Sequence, residues 1–301
     1  DKYTTCLKVP RMKEADIVFP MITTRGCISK CSFCYRMESG IRIRKPEHII
    51  EEMKDLHKKY GVTYFIFFDE LSVISKKQIL KFSSMIKENF EDIRFYMNCR
   101  VDVFDDEIAC AMKEAGCALI NIGFESTDQN VLDLLGKRVT VEQNINAAEL
   151  ALKYDMAIGL NVIWGLPGDN ERTLRENTEF IKRYNRYDQI RTMRPVSPYP
   201  GSPLYYLAIQ KGLLKGPADF FAKFKNADLY MVNFMGIPEK DIYEMLFDVN
   251  KDLILDHYRH TSNDMEEADR LIQQFYNLYF KGNVSLAGPR HDDKLPFNSK
   301  R

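Results

Sequence analysis

The stretch Ile17-Val-Phe-Pro-Met-Ile-Thr-Thr-Arg-Gly-Cys-Ile-Ser-Lys-Cys-Ser-Phe-Cys-Tyr35 joins a strand-like run to a cluster of cysteines. Its first eight residues, 17–24, are mostly apolar and rich in residues that favour strands. The residues that follow carry Cys27, Cys31 and Cys34 in a C-x3-C-x2-C spacing. The sequence therefore predicts a strand that leads into one loop carrying three thiolates.

The three thiolates limit the kind of metal centre that this loop would bind. Cysteine sulfur favours zinc and iron–sulfur clusters. A structural zinc site needs four ligands, and the nearest histidine, His48, lies beyond Pro46 on a predicted helix. A four-iron cluster held by three cysteines leaves one iron free to bind and activate a small molecule. The sequence favours this open cluster over two alternatives, a structural zinc site and an electron-transfer cluster.

Strand-like runs alternate with helical periodicity along the next part of the chain. Such alternation predicts a parallel sheet with right-handed crossovers. Six βα units are fewer than the eight of a closed TIM barrel, so we expect an α/β fold, a partial (β/α)6 TIM-like barrel. The predicted strands are 17–24, 64–70, 94–100, 118–125, 157–164 and 189–196, and the predicted helices are 46–60, 77–90, 105–116, 141–154 and 171–184.

Polar residues follow several of these strands. Because barrel chemistry gathers at the carboxyl ends of the strands, we expect these residues and the cysteine loop to share one rim. An acid pair that caps a helix and a buried salt bridge are the structural alternatives for the charged members. The rim residues are Asp69, Glu70, Asn98, Arg100, Glu125, Ser197 and Tyr199.

The character of the chain changes after about residue 200. Helical periodicity dominates there, over 203–211, 238–260 and 264–280. We expect three regions: a leader or linker at 1–16, the partial barrel at 17–200, and a C-terminal helical extension with a tail at 201–301.

Composition excludes some classes of partner and compartment. Lys+Arg and Asp+Glu both number 43, whereas proteins that bind nucleic acid usually carry a basic excess. The seven cysteines are an odd number, which argues against a secreted disulfide framework. No apolar run reaches the roughly 18 residues of a membrane span. We expect a cytoplasmic protein without a membrane span or a nucleic-acid partner.

The cysteine loop, with Phe33 just before its last cysteine and a six-fold βα array after it, resembles the radical S-adenosylmethionine (SAM) superfamily. The resemblance covers about residues 17–200. Further stretches are similar to the radical domain of cobalamin-binding enzymes of the anaerobic magnesium-protoporphyrin ester cyclase type. These stretches are Phe67-Phe-Asp-Glu70, Gly123-Phe-Glu-Ser126, Gly165-Leu-Pro-Gly168 and Pro198-Tyr-Pro-Gly-Ser-Pro203.

The resemblance implies roles for individual residues. The three cysteines would ligate a [4Fe-4S] cluster, whose open iron would bind the amino and carboxylate groups of SAM. Asp69 or Glu70 would hold the methionine amino group, and Arg100 would meet the methionine carboxylate. Asn98 and Ser197 are predicted to belong to this cofactor site because they lie on the same rim. The remaining implied contacts are Phe33, Ile163 and Gly165 near adenine and Glu125 at the ribose or methionine.

The resemblance also implies an activity. A radical SAM enzyme cleaves SAM reductively, with a donor such as flavodoxin or ferredoxin, and abstracts hydrogen from an unactivated C–H of a small metabolite. Cobalamin-assisted methyl transfer is expected on condition that an upstream cobalamin domain exists, because its Asp-x-His-x-x-Gly loop does not occur in this sequence. Radical ring closure, oxidation or epimerisation without corrin is the alternative, and an iron–sulfur electron-transfer protein is the alternative of another class.

Overall fold

The structure, a computed structural model, describes residues 9–36 and 40–282. Its strands are β1 (Val18–Met21), β2 (Thr24–Gly26), β3 (Ile41–Ile43), β4 (Tyr64–Phe67), β5 (Arg94–Cys99), β6 (Cys117–Glu125), β7 (Ala157–Trp164) and β8 (Arg194–Pro195). Its helices are α1 (Pro46–Tyr60), α2 (Lys76–Asn89), α3 (Asp106–Glu114), α4 (Gln129–Leu134), α5 (Val141–Lys153), α6 (Glu171–Tyr184), α7 (Pro203–Gln210), α8 (Pro217–Lys223), α9 (Glu239–His260) and α10 (Met265–Phe280).

Six of the strands form one parallel sheet in the order β1-β4-β5-β6-β7-β8. The sheet curls into a partial barrel with β1 and β8 at its two ends, and α1, α2, α3, α5 and α6 follow its strands in sequence. The predicted fold class is confirmed, with helices α7 to α10 as the C-terminal extension. The short helices α4 and α8 and the strand β3 were not predicted.

Alternation along the strands separates an outer apolar face from an inner polar one. In β7, Ile158, Leu160 and Val162 are buried in the main core, whereas Asn161 between them is exposed. The hydrophobic core therefore lies between the sheet and the helices, and the concave face is left for polar groups.

The first predicted strand is too long. The structure ends β1 at Met21, and Thr24–Gly26 pairs instead with β3 in an antiparallel hairpin. The carboxylate of Asp69 causes the break, because it accepts the backbone N–H groups of Thr23 at 2.8 Å and Thr24 at 3.0 Å. The cysteine loop consequently leaves the hairpin strand β2 and not β1 itself.

The last predicted strand, 189–196, is also too long, since only Arg194–Pro195 pairs with β7. Asn250 of α9 forms hydrogen bonds to the backbone of Met193, the residue just before Arg194. The Asn250 side chain accepts the N–H of Met193 at 2.7 Å and donates to its carbonyl at 3.2 Å. A helix side chain therefore replaces the sheet as the hydrogen-bonding partner at this point.

Residues 9–16 pack against the base of the barrel. Val9 and Met12 contact an interior cluster that includes Val18, Tyr64 and Ile66. The hydroxyl of Tyr64 donates to the carbonyl of Pro10 at 3.1 Å. The described part of the predicted leader thus covers the amino-terminal end of the interior. Residues 1–8 and, apart from Gly282, the predicted tail at 282–301 lie outside the described residues.

Candidate active site

The cysteine loop is fixed to two other parts of the chain through Ser32. The N–H of Ser32 donates to the carbonyl of Leu135, at the end of α4, at 2.8 Å, and its carbonyl accepts the N–H of Leu204, in α7, at 2.7 Å. The loop is therefore held by backbone hydrogen bonds from both sides.

The three thiols of the loop are free and differ in exposure: Cys31 is buried, Cys27 is half-buried and Cys34 is the most exposed. Burial raises the pKa of Cys31, and the cations of Lys137 and Arg100 oppose that shift. Although Cys34 is the most exposed, the loop around it removes part of the hydration of its thiolate, and this together with the neighbouring cysteines raises the pKa of Cys34 to about 11. A bound metal would deprotonate these thiols.

The donor set fits a cluster that takes three protein ligands. The loop offers three free thiols within eight residues of sequence. Over residues 9–36 and 40–282, no three histidine, cysteine or acidic side chains converge on a single ion position. The three loop thiols are included in that finding, so the fit to a cluster rests on the number, type and spacing of these donors, which is the three-thiolate set of an open cluster.

Arg100 braces the cysteine loop. Its guanidinium donates to the hydroxyl of Ser29 at 2.6 Å and to the carbonyl of Lys137 at 3.0 Å. Two further donors hold the carboxylate of Asp102 at 2.9 and 3.0 Å. This bidentate pair fixes the plane of the guanidinium. Its position is therefore determined by the loop and by Asp102, although the sequence predicted a contact with the SAM carboxylate.

Glu125 forms a buried ion pair at the carboxyl end of β6. Its Oε1 accepts from Nζ of Lys137 at 2.8 Å, and the two side chains are 9% and 5% exposed. Gly123 makes room for the pair, since a Cβ there would lie 2.4 Å from Glu125 Oε1. Glu125 also has a φ of +64° beside an irregularity in the β6–β7 pairing, which is uncommon for a residue with a side chain.

The two acids after β4 have different surroundings. Asp69 is buried and its carboxylate is occupied by the Thr23 and Thr24 N–H groups and by the Thr23 hydroxyl. Glu70 is exposed, and its charge contributes to the raised pKa of Cys34. The structure therefore assigns Asp69 to the fold of the loop and leaves the Glu70 carboxylate exposed.

Asn98 belongs to a row of amides that crosses the concave face. Its Oδ1 accepts from Asn121 at 2.9 Å, and Oδ1 of Asn121 accepts from Asn161 at 2.8 Å. Gly159 permits this packing, because a Cβ there would lie 1.9 Å from Asn121 Oδ1. Asn121 and Asn161 were not predicted as site residues. The sequence signal for them was a single asparagine inside each of two otherwise apolar strands.

Phe33 and Ile163, both predicted near adenine, contact one apolar cluster. Its buried members are Val131, Leu135, Leu166, Val196 and Leu204, and Phe33 and Ile163 pack against it. The structure thus brings together an aromatic residue of the cysteine loop and the end of β7.

Gly165 begins a tight turn after β7. It has a φ of +93°, and a Cβ on it would lie 2.7 Å from the Tyr230 ring. The buried carboxylate of Asp169 accepts the N–H groups of Gly165 at 3.0 Å and Leu166 at 2.9 Å. Trp164, just before the turn, is fully buried, and its Nε1 donates to the carbonyl of Asn170 at 3.0 Å.

Ser197 follows β8 at the same end of the sheet. It is half-buried, and its carbonyl accepts the N–H of Tyr199 at 3.0 Å. The exposed Tyr199 ring lies against Phe220 and Phe224. Lys137 was missed by the sequence interpretation, and the signal for it was the need of a buried Glu125 for a cation.

The fold and the site define a class of protein: a partial barrel with an open-cluster cysteine loop on its rim. A family model described as the radical SAM superfamily matches residues 21–181. The chain belongs to this superfamily of enzymes. The predicted resemblance is confirmed, and with it the [4Fe-4S] cluster and SAM as the expected cofactors.

Two curated relatives each match more than half of the chain. The chain is 33% identical over 214 residues to an uncharacterised methyltransferase of Pyrococcus horikoshii, which covers 69% of this chain and 46% of that protein. It is 30% identical over 187 residues to the anaerobic magnesium-protoporphyrin IX monomethyl ester cyclase of Cereibacter sphaeroides, covering 60% and 30%. The chain thus spans less than half the length of these relatives.

Solved structures share the fold. The cobalamin-dependent SAM radical enzyme OxsB, with aqua-cobalamin and SAM bound, has a TM-score of 0.59 at 17% identity and covers 87% of this chain and 47% of its own. The radical SAM methyltransferase TsrM from Kitasatospora setae, with cobalamin and a [4Fe-4S] cluster bound, has a TM-score of 0.56 at 19% identity, covering 65% and 37%.

Within residues 9–36 and 40–282, no helix has the length and apolar character that a bilayer crossing requires.

Proposed function

We propose that this chain is the catalytic part of a radical SAM enzyme that abstracts hydrogen from an unactivated C–H of a small metabolite. The observation that carries the proposal is the loop of three free thiols, braced by Arg100 and held by Ser32 above a polar rim. When bound, the cluster and SAM would supply a primary carbon radical, formed as one electron breaks the sulfonium C–S bond.

The residues of the rim would position SAM. Cys27, Cys31 and Cys34 would ligate the cluster. Glu70 is the better partner for the methionine amino group, because the carboxylate of Asp69 is already engaged by the Thr23–Thr24 backbone. These assignments agree with the chemistry of the donors, since a carboxylate binds an ammonium group through charge-assisted hydrogen bonds.

The two ends of SAM would meet different surroundings. Phe33 and Ile163 offer an apolar surface for adenine, with the Gly165 turn next to it. Glu125 and Lys137 present a carboxylate and an ammonium side by side, which suits the ribose hydroxyls and the methionine carboxylate. Asn98 and Ser197 would border this space, and Arg100 would act by holding the loop.

Cobalamin-assisted methyl transfer is the proposed fate of the substrate radical, on condition that the native protein has a cobalamin domain. The support is that relatives include methyltransferases, among them the bacteriochlorophyllide d C-12(1)-methyltransferase of Chlorobaculum tepidum. Ring closure or oxidation is the second candidate, supported by the similarity to the ester cyclase. A flavodoxin or ferredoxin would donate the electron, and the free thiols fit the reducing cytoplasm.

The test is SAM cleavage by the anaerobically reconstituted protein. With a strong reductant, the wild type should release 5′-deoxyadenosine, and Cys27→Ala, Cys31→Ala and Cys34→Ala should each reduce the yield to background. Cys110→Ala, on the outer helix α3, is the matched control and should retain the activity. A cluster-loaded wild type that never cleaves SAM, with an absorption spectrum that SAM leaves unchanged, would show an electron carrier instead.

A further inference from the structure

A polar cavity of about 510 Å³ adjoins the proposed SAM site where β8 pairs with β7 for only two residues. Ile163 lines this cavity and also packs on the apolar cluster that Phe33 contacts. The cavity therefore shares a wall with the proposed adenine pocket. Its polar lining consists of Asn121, Asn161, Gln189, Arg191, Thr192 and Arg194.

The amide row across the concave face has a direction. Nδ2 of Asn161 donates to Asn121 Oδ1, Nδ2 of Asn121 donates to Asn98 Oδ1, and Nδ2 of Asn98 donates to the Asp69 carbonyl. The orientation of Asn161 is fixed because the same Nδ2 also donates to the carbonyl of Ile122 at 3.0 Å, which can only accept. No described residue donates to Asn161 Oδ1, so the row presents a hydrogen-bond acceptor to the cavity.

Two arginines make part of the cavity lining cationic. Arg194 and Arg191 both line it, and none of the described lining residues is acidic. Arg194 also pairs with the buried Asp228 carboxylate, 3.3 Å from its Nε, while its own side chain is 45% exposed. The Arg191 guanidinium donates to the carbonyl of Ile158. Burial lowers the pKa of Arg191 to about 10, and the Asp188 carboxylate opposes that shift. An anion in the cavity would meet this guanidinium in a medium of low dielectric constant, where the attraction between charges is strong.

We propose that this cavity binds the polar end of the substrate, an anionic oxygen group at the two arginines together with an N–H or O–H donor at Asn161 Oδ1. A 2-hydroxy or 2-amino carboxylate has both groups, and a hydroxyalkyl phosphate has the same chemistry. The assignment rests on the proposed function for its catalytic meaning. Binding itself needs no SAM cleavage, so the two can fail separately.

Ligand-observed NMR titration of the cluster-loaded protein tests the assignment with small probes. Lactate and propionate differ only by the hydroxyl donor, and propionamide replaces the anion by a neutral amide. We expect lactate to bind more tightly than propionate by roughly two- to tenfold, the effect of one net hydrogen bond, and propionamide to show no saturable binding. Inorganic phosphate tests whether the anionic group is a carboxylate or a phosphoryl group. Tighter binding of phosphate than of propionate would assign a phosphoryl group to the arginines.

Variants locate the binding. Asn161→Ala should remove the advantage of lactate and leave propionate unchanged, whereas Arg194→Gln should weaken both. Arg194→Lys retains a cation for Asp228 and should keep most of the affinity, which guards against misfolding of the Gln variant. Gln210→Ala, on an exposed face of α7, should change neither.

Equal binding of lactate and propionate, propionamide binding as tight as propionate, or no effect of Asn161→Ala would overturn the proposal. The expected selectivity in a protein that never forms 5′-deoxyadenosine would keep the cavity assignment and reject the proposed function. If SAM cleavage were normal and none of the probes bound, the cavity assignment would be rejected and the proposed function kept.

Discussion

Glu125 occupies a backbone conformation that a side chain rarely adopts. A left-handed residue other than glycine costs about 1 kcal/mol or more, and an ion pair removed from water often adds little net stability. Its carboxylate and the Lys137 ammonium nevertheless meet at 2.8 Å in a space that Gly123 keeps open. The arrangement therefore adds little net stability of its own, and we propose that it serves the candidate site.

Removing one member of this pair should be costly. Lys137→Ala leaves the Glu125 carboxylate buried without its cation, and we expect a loss of about 3–5 kcal/mol in the free energy of unfolding. The double variant Glu125→Gln, Lys137→Met should recover much of that loss. Urea denaturation measures both.

The surface pair Lys240–Glu244 is the matched control, because its side chains are 82% and 53% exposed. Lys240→Ala should cost well under 1 kcal/mol. If Lys137→Ala were as mild as Lys240→Ala, the pair would not be held away from water as the structure shows.

At the scale of an element, the turn after β7 depends on one buried acid. Asp169 accepts two backbone N–H groups and the Thr173 hydroxyl, at 2.8 Å. Burial raises the pKa of Asp169 from 3.8 to about 6, and these hydrogen bonds oppose the shift. Between those two values the folded chain retains a proton that the unfolded chain has lost.

This titration predicts a pH dependence. The contribution of Asp169 to stability is full below about pH 4 and is lost as the pH rises through 6. The free energy of unfolding of the wild type, relative to Asp169→Asn, should therefore fall by roughly 3 kcal/mol between pH 4 and 7. Denaturation at a series of pH values measures it, with the exposed Asp55→Asn as control. A constant difference between wild type and Asp169→Asn would contradict the shift.

Asn250 connects α9 to the segment just before β8. Its amide pairs with both backbone groups of Met193 and with the Tyr279 hydroxyl at 3.0 Å. Asn250→Leu would leave the Met193 groups buried and unpaired, and we expect a loss of about 2–4 kcal/mol. Tyr279→Phe removes the hydrogen bond from Asn250 and leaves both bonds to Met193, and it should cost about 1 kcal/mol. Thermal or urea unfolding measures the loss of stability in both variants. Equal losses would show that the two hydrogen bonds between Asn250 and Met193 do not stabilise the fold.

At the scale of the whole molecule, residues 9–16 close the base of the barrel. Val9 and Met12 fill apolar space below Tyr64 and Ile66. Replacing both by Ser should lower the free energy of unfolding by roughly 1–3 kcal/mol, since apolar area is returned to water. The exposed Phe221→Ser is the control. An unchanged unfolding midpoint would show that the segment lies against the barrel without stabilising it.

The sequence predicts most of this architecture because strands buried on one face and amphipathic helices leave periodic signals. The bounds of β6, β7, α5 and α6 follow the prediction within one residue. The ends of the first and last strands do not, because Asp69 and Asn250 compete for their backbone from distant parts of the chain. Local periodicity carries no information about such long-range partners.

In the candidate site, too, the local features could be predicted from the sequence and the long-range contacts could not. The three cysteines are visible because their spacing is local. Lys137 as the partner of Glu125, and the row from Asn98 to Asn161, depend on which strands become neighbours. The donors of Arg100 likewise bond to Ser29, 71 residues away in the sequence, and to Asp102. The proposed roles in SAM binding stay predictions.

The position of Trp164 gives the protein an intrinsic optical reporter. The chain has one tryptophan, and its indole is fully buried at the end of β7 with Nε1 bonded to Asn170. All indole fluorescence of this chain therefore originates beside the Gly165 turn. Emission from the unlabelled polypeptide should report on that one locality, and a shift towards longer wavelength would mark the moment when solvent reaches it.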